Sequence, residues 1–203
     1  TGSLEKIARD NFFISFNRFP HNHRKFLVNN IKNAKLSKKG HTSSFFDDIS
    51  HPILDESLHK KDIVKYQDMC QQIDELQLHS LFEIVSETYA RDNQINYTEK
   101  IVKCILTATP LLLLGNQYAL HTLKKYYGFT DFGIDDSYDK IPNYPQRVAL
   151  LLQQAHSFFD HPLDTVFDNA KKNANHLNFH FDSIHDDIAL SFLERALKSL
   201  DVS

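Results

Sequence analysis

Apolar blocks along the chain are separated by polar and turn-forming residues, and their spacing predicts alternating strands and helices. Phe12-Phe13-Ile14-Ser15-Phe16 is a compact β-prone run, and Asn17-Arg18-Phe19-Pro20 reads as the turn that ends it. From Arg24 to Ala34, Phe26, Leu27, Ile31 and Ala34 fall on one side at helical spacing. Gly40 closes that helix, and Thr42 to Phe46 is expected as the next strand. Asp47 to Lys61 shows little periodicity and reads as a loop, while Ile63 to Leu76 carries only a weak helical stripe. Leu81 to Val85 is a strand running into Ser86-Glu87-Thr88, and a loop of about ten residues follows, leading into the Thr98 helix. A helix opening at Thr98, a buried strand over Pro110 to Gly115, a helix through Leu120 and Leu123, and a short strand from Phe129 to Phe132 come next. The acidic Asp135-Asp136-Ser137-Tyr138-Asp139 loop is closed by Pro142 and Pro145. Helices are predicted over Arg147 to Phe159, Leu163 to Ala174 and Ile184 to Leu200.

Strands alternating with helices predict an α/β fold, a Rossmann-like and mostly parallel sheet flanked by helices, with a helical C-terminus. Residues 4–160 form the expected Rossmann-like domain, and 161–203 supply helices packing on it. The stripe Ile184, Ile188, Phe192 and Leu193 is read as packing. Ligands of such sheets bind beyond the carboxyl ends of the strands. Asn17, Arg18, Glu87 and Thr98 to Lys100 all follow strands, so they are expected to converge there.

Composition narrows the chemistry. The 203 residues are 41% hydrophobic and 24% charged, ordinary for a globular domain, and a net charge of −3 gives no global field for nucleic acid. Cys70 and Cys104 are too few for a disulfide framework or a zinc cluster and read as buried thiols of a reducing, cytoplasmic interior. No apolar run reaches membrane-spanning length, and no basic-then-apolar leader is present. His21 and His23, and His176 and His180 with Asp182, His185 and Asp186 close by, have spacings that permit chelation. No Glu follows His176 as in a metalloprotease helix, so these read as surface histidines and no metal is expected. Asp135, Asp136 and Asp139 lack the spacing of a calcium loop and read as solvated. No Gly-x-Ser-x-Gly elbow and no Gly-rich phosphate loop occurs among only five glycines.

The sharpest chemical signal is Thr98-Glu99-Lys100. Thr98 is a good N-cap, and a helix start favours anions because its first N–H groups lack partners and its dipole end is positive. An ammonium and a carboxylate at that spot suit a phosphate and a sugar hydroxyl together. A purely structural origin is the alternative, since acidic residues favour a first turn through the dipole alone.

In order, Glu87, Thr98-Glu99-Lys100, Pro110 to Gly115, Leu120 to Leu123 and Gly128-Phe129 to Phe132 resemble the C-terminal half of fucosyltransferase-like GT-B glycosyltransferases. Divergent phage, viral and bacterial relatives are the nearest in pattern. Phe16-Asn17-Arg18-Phe19-Pro20 with His23-Arg24, the acidic Asp136 to Asp139 and the later Arg147 continue the likeness over residues 11–160. One departure is the aromatic that the family carries three residues before the motif Glu; here Asn96 stands there and Tyr97 follows. The resemblance implies one half of a GT-B fold that binds a nucleoside-diphosphate sugar as donor substrate, with no separate cofactor. Lys100 and Arg18 would neutralise the diphosphate, Glu99 would accept hydrogen bonds from sugar hydroxyls, Asn96 and Tyr97 would border the nucleotide, and Glu87 would lie near the donor sugar. The acceptor would be a hydroxyl of a glycan, a protein or a modified base. Its general base would come from an N-terminal domain or partner chain. A non-catalytic α/β interaction domain derived from such an enzyme is the competing expectation, with an unrelated nucleotidase or phosphoryl transferase third.

Overall fold

The computed structural model describes residues 10, 12–17, 21–44, 76–87, 95, 97–160 and 162–179. Four parallel strands form one sheet in the order β2-β1-β3-β4: β1 Phe13–Asn17, β2 Gly40–Ser44, β3 Phe82–Ser86 and β4 Leu111–Leu114. The helices are α1 Asn22–Asn33, α2 Glu99–Leu106, α3 Ala119–Tyr127, α4 Tyr144–Asp160 and α5 Asp164–Phe179. This is the expected Rossmann-like α/β architecture with a helical C-terminal part.

Strand pairing explains the apolar runs of β1, β3 and β4, because a parallel sheet covered on both faces buries its strands. Phe13 pairs with Gly40 on one side and Phe82 on the other, and Glu83 to Ser86 pair with Leu111 to Leu114. One face carries Phe13 stacked on Phe82 at 5.4 Å, with Phe158 of α4 edge-on to Phe82 at 5.0 Å. α1 lies beside α4 on this side, where His156 Nε2 meets the Ala34 carbonyl at 3.0 Å. The opposite face carries Glu83, which meets the helical turn at residues 76–79 and Cys104 of α2. There α2 packs on α5, and His176 Nε2 of α5 reaches the Tyr127 carbonyl of α3 at 2.7 Å.

The structure departs from the sequence reading at definite places. β2 begins at Gly40, expected as a break, because a side chain there would strike the Phe13 ring and only glycine lets the strands meet. Phe129 to Phe132 forms no strand. Phe129 and Phe132 are core residues, and Asn173 Oδ1 of α5 takes the Thr130 N–H at 2.8 Å, so that donor is served without a ladder. The acidic loop is a 3₁₀ turn over Asp136–Lys140 with Tyr138 and Asp139 buried; the Tyr138 hydroxyl accepts the Leu113 N–H at 3.1 Å, serving a donor of β4. Asp47 to Lys61, most of the 63–76 stripe and the helix expected over 184–200 lie outside the described residues.

Candidate functional site

The strand order reverses between β1 and β3: α1 leads from β1 outward to β2, and the chain then returns to β3 on the other flank. A crevice opens beyond the carboxyl ends at such a point. Asn17 ends β1, Ser86 and Glu87 end β3, and α1 and α2 begin there.

Two cations from different helix starts reach one oxygen. Arg24 Nη2 of α1 donates to the Ser86 carbonyl at 3.3 Å, and Lys100 Nζ of α2 donates to the same carbonyl at 3.4 Å. Both distances lie beyond the usual N–H···O range, so these bonds are loose. Their combined potential reaches His21, whose pKa is lowered by burial first, then by Arg24 and then by Lys100. His23 Nε2 meets the Glu87 carbonyl at 2.8 Å, and the Tyr144 hydroxyl donates to the His23 carbonyl at 2.8 Å. Arg147 lies over the Tyr144 ring at 5.7 Å and donates from Nη1 to the Gly115 carbonyl, just past β4, at 2.8 Å. Among the described residues the Asn17 Oδ1, Ser86 Oγ, Thr98 Oγ1 and Arg147 Nε atoms are buried and have no hydrogen-bond partner. Buried polar atoms of this kind ordinarily meet water or a ligand.

The residues expected from sequence are brought together unevenly. Asn17, Glu87, Thr98 and Lys100 do gather at this edge, whereas Arg18, Asn96 and the side chain of Glu99 lie outside the described residues. Thr98 occupies the N-cap position of α2, but its hydroxyl makes no capping bond. Glu87 serves that end instead, its Oε1 accepting the Thr98 N–H at 3.0 Å. The anion-favouring start of α2 therefore already holds an internal carboxylate. Tyr97 belongs to the core, 7% exposed, with its hydroxyl donating to the Ala119 carbonyl at 2.6 Å. Its ring meets Tyr127 edge to face at 5.9 Å between centroids.

No protein-family model matches the sequence, and comparisons with curated proteins and with solved structures return no match.

Sequence reasoning singled out Arg24 only as part of a motif and missed Ser86, because a backbone carbonyl leaves no signature in residue type. Among the described residues no group of three or more His, Cys, Asp or Glu side chains is gathered to hold a metal. His176 is occupied by the Tyr127 carbonyl and the Phe129 ring, and His180, Asp182, His185 and Asp186 lie outside the described residues. Cys104 is a buried thiol donating to the Thr109 carbonyl at 3.4 Å, and Cys70 lies outside the described residues. Among the described residues no helix is long and apolar enough to cross a membrane.

Proposed function

We propose that this chain binds a nucleoside diphosphate at the carboxyl edge of its sheet, as the donor-binding domain of a glycosyltransferase. The observation that carries the reading is the convergence of Arg24 and Lys100 on the Ser86 carbonyl at the switch point. A diphosphate brings to these two cations the opposite charge that a carbonyl lacks, adding Coulomb attraction to the hydrogen bonds they donate. The diphosphate sits on the α1 side of the crevice, because Glu87 fills the start of α2. There it neutralises the pair, and in transfer the same pair stabilises the departing diphosphate. The sugar-transfer part of the reading draws on the ordered motif resemblance. The acceptor is a hydroxyl of a glycan, protein or modified base, and its general base comes from a further domain or partner.

The test is thermal shift and calorimetry with UDP, GDP, ADP and inorganic pyrophosphate. At least one nucleoside diphosphate is expected to raise Tm, and Lys100→Ala and Arg24→Gln each to weaken binding at least tenfold, the loss of one charge-assisted contact. No response to any of them would discard the proposal. His21 gives an independent readout. It is expected to titrate below its ordinary 6.5 in the ligand-free protein and to rise on ligand addition, followed by imidazole proton NMR. An unmoved His21 would put the anion elsewhere.

One observation favours the interaction-domain reading: Glu87 supplies the start of α2 with an internal carboxylate, as a retired anion site would be filled. That reading expects folded protein, no ligand-induced shift and no sensitivity to Lys100→Ala beyond small stability changes.

A further inference from the structure

Tyr118 stands out in the loop joining β4 to α3. Its backbone is left-handed, at φ 67 and ψ 18, and 46% of the residue is exposed. Among the described residues two other non-glycine residues have positive φ, Lys35 and Ala108. Those two lie just past the C-caps of α1 and α2, where a left-handed residue is an ordinary way for a helix to stop, and Lys35 also opens the 3₁₀ turn Leu36–Lys38. Tyr118 ends no helix: it follows β4 and stands at the N-cap of α3, where the backbone is normally extended. A glycine or asparagine would take this conformation more cheaply than an aromatic residue. The ring is partly exposed and stands against the His121 ring at 6.2 Å between centroids.

The loop is pinned from the other side. The Tyr118 N–H donates to the Asp139 carbonyl at 2.9 Å, and the His121 N–H to Asp139 Oδ2 at 3.1 Å. Gln117 Nε2 reaches the Lys140 carbonyl at 2.7 Å, and Arg147 holds the Gly115 carbonyl at 2.8 Å. Strained backbone held in place by its surroundings clusters at ligand clamps and active sites.

Its place in the fold fits a particular ligand part. Direct contacts run from His23, beside Arg24, through Tyr144 to Arg147 and the Gly115 carbonyl, three residues before Tyr118. The two cations meet at the Ser86 carbonyl on the end of β3, and β4 lies beside β3, so the loop carrying Tyr118 leaves the sheet one strand spacing, ~5 Å, away. A nucleoside diphosphate held by the cations can carry its base toward that loop.

We infer that Tyr118 is the stacking platform for the nucleobase of the nucleoside diphosphate, an inference resting on the proposed function above. The ring offers a flat apolar face, and a base laid on it excludes water from the β4 end of the crevice. Stacking tolerates any base, so this contact supplies affinity, and the choice among bases falls to other groups.

The chain contains no tryptophan, so Tyr118→Trp gives it a single tryptophan, excited apart from the tyrosines, at this position. The full chain carrying that substitution is titrated with UDP, GDP, ADP and inorganic pyrophosphate. The nucleoside diphosphate that raises Tm is expected to quench the fluorescence, and pyrophosphate is not. Tyr118→Ala is expected to weaken that nucleotide about tenfold while pyrophosphate is unaffected. Tyr118→Gly relieves the backbone and should raise Tm while losing the same nucleotide affinity, a combination that a merely structural role would not give. Lys100-dependent nucleotide binding with neither quenching nor loss in Tyr118→Ala overturns this inference and leaves the diphosphate site standing. Equal losses of nucleotide and pyrophosphate overturn it too, by making Tyr118 a support for the loop. No nucleotide binding at all removes both.

Discussion

At pH 8, Glu83→Gln is expected to be more stable than the native chain by about 2–3 kcal/mol, and at pH 4 the two should nearly coincide. Glu83 is wholly buried on β3, and burial lifts its carboxyl from the ordinary 4.5 to about 7. The hydrogen bond from Gln77 Nε2 to Glu83 Oε2 at 2.6 Å, the nearby Lys100 and Lys103 and a contact with Cys104 act in the opposite direction and only moderate the shift. The folded state therefore keeps this proton after the unfolded chain has released its own. The stability linked to that proton is fully present below about pH 4.5 and is lost as pH rises through 7. Glutamine stays neutral throughout and retains a carbonyl to accept from Gln77. Urea unfolding at a series of pH values decides the matter, and two parallel profiles would show that Glu83 does not carry the linkage.

Gly40→Ala is the second large effect, and it acts through shape. A Cβ at this position would stand 2.2 Å from a Phe13 ring carbon and 2.4 Å from the Phe13 carbonyl oxygen. The ring cannot swing aside, because it is stacked on Phe82 and edge-on to Phe159. The oxygen belongs to a strand paired on both sides, so relief would break the register between β1 and β2. The expected cost is about 3 kcal/mol or more, a fall in Tm of about 6–12 °C for a chain of this size. A Tm within about 2 °C of the native value would mean that β2 is not seated against Phe13 as described.

Much of the fold could be read from the chain because burial on both faces of a parallel sheet writes itself as short apolar runs. Leu111 to Leu114 and Phe82 to Val85 are such runs, and both are strands. Gly40 was harder: the same residue type ends helices and permits close strand contact, and only the Phe13 ring on the neighbouring strand decides which. Phe129 to Phe132 has a strand-like composition, but Asn173, 43 positions away, supplies its hydrogen bond. The site was legible in its residue types at Lys100 and Glu87, because both follow strand ends. It was not legible in roles: Glu87 serves the α2 backbone, Tyr97 turns into the core, and the described guanidinium beside Lys100 is that of Arg24. A local pattern names a charge, and the topology chooses its neighbour.

Glu87 receives the His23 ring on its carbonyl and offers its carboxylate to the Thr98 amide, so one residue ties α1 to α2 across the end of β3. The two helix starts are thereby joined through one residue. A molecule touching only the first of them should slow deuterium uptake at the amides opening the second, a mechanical echo that needs no contact of its own.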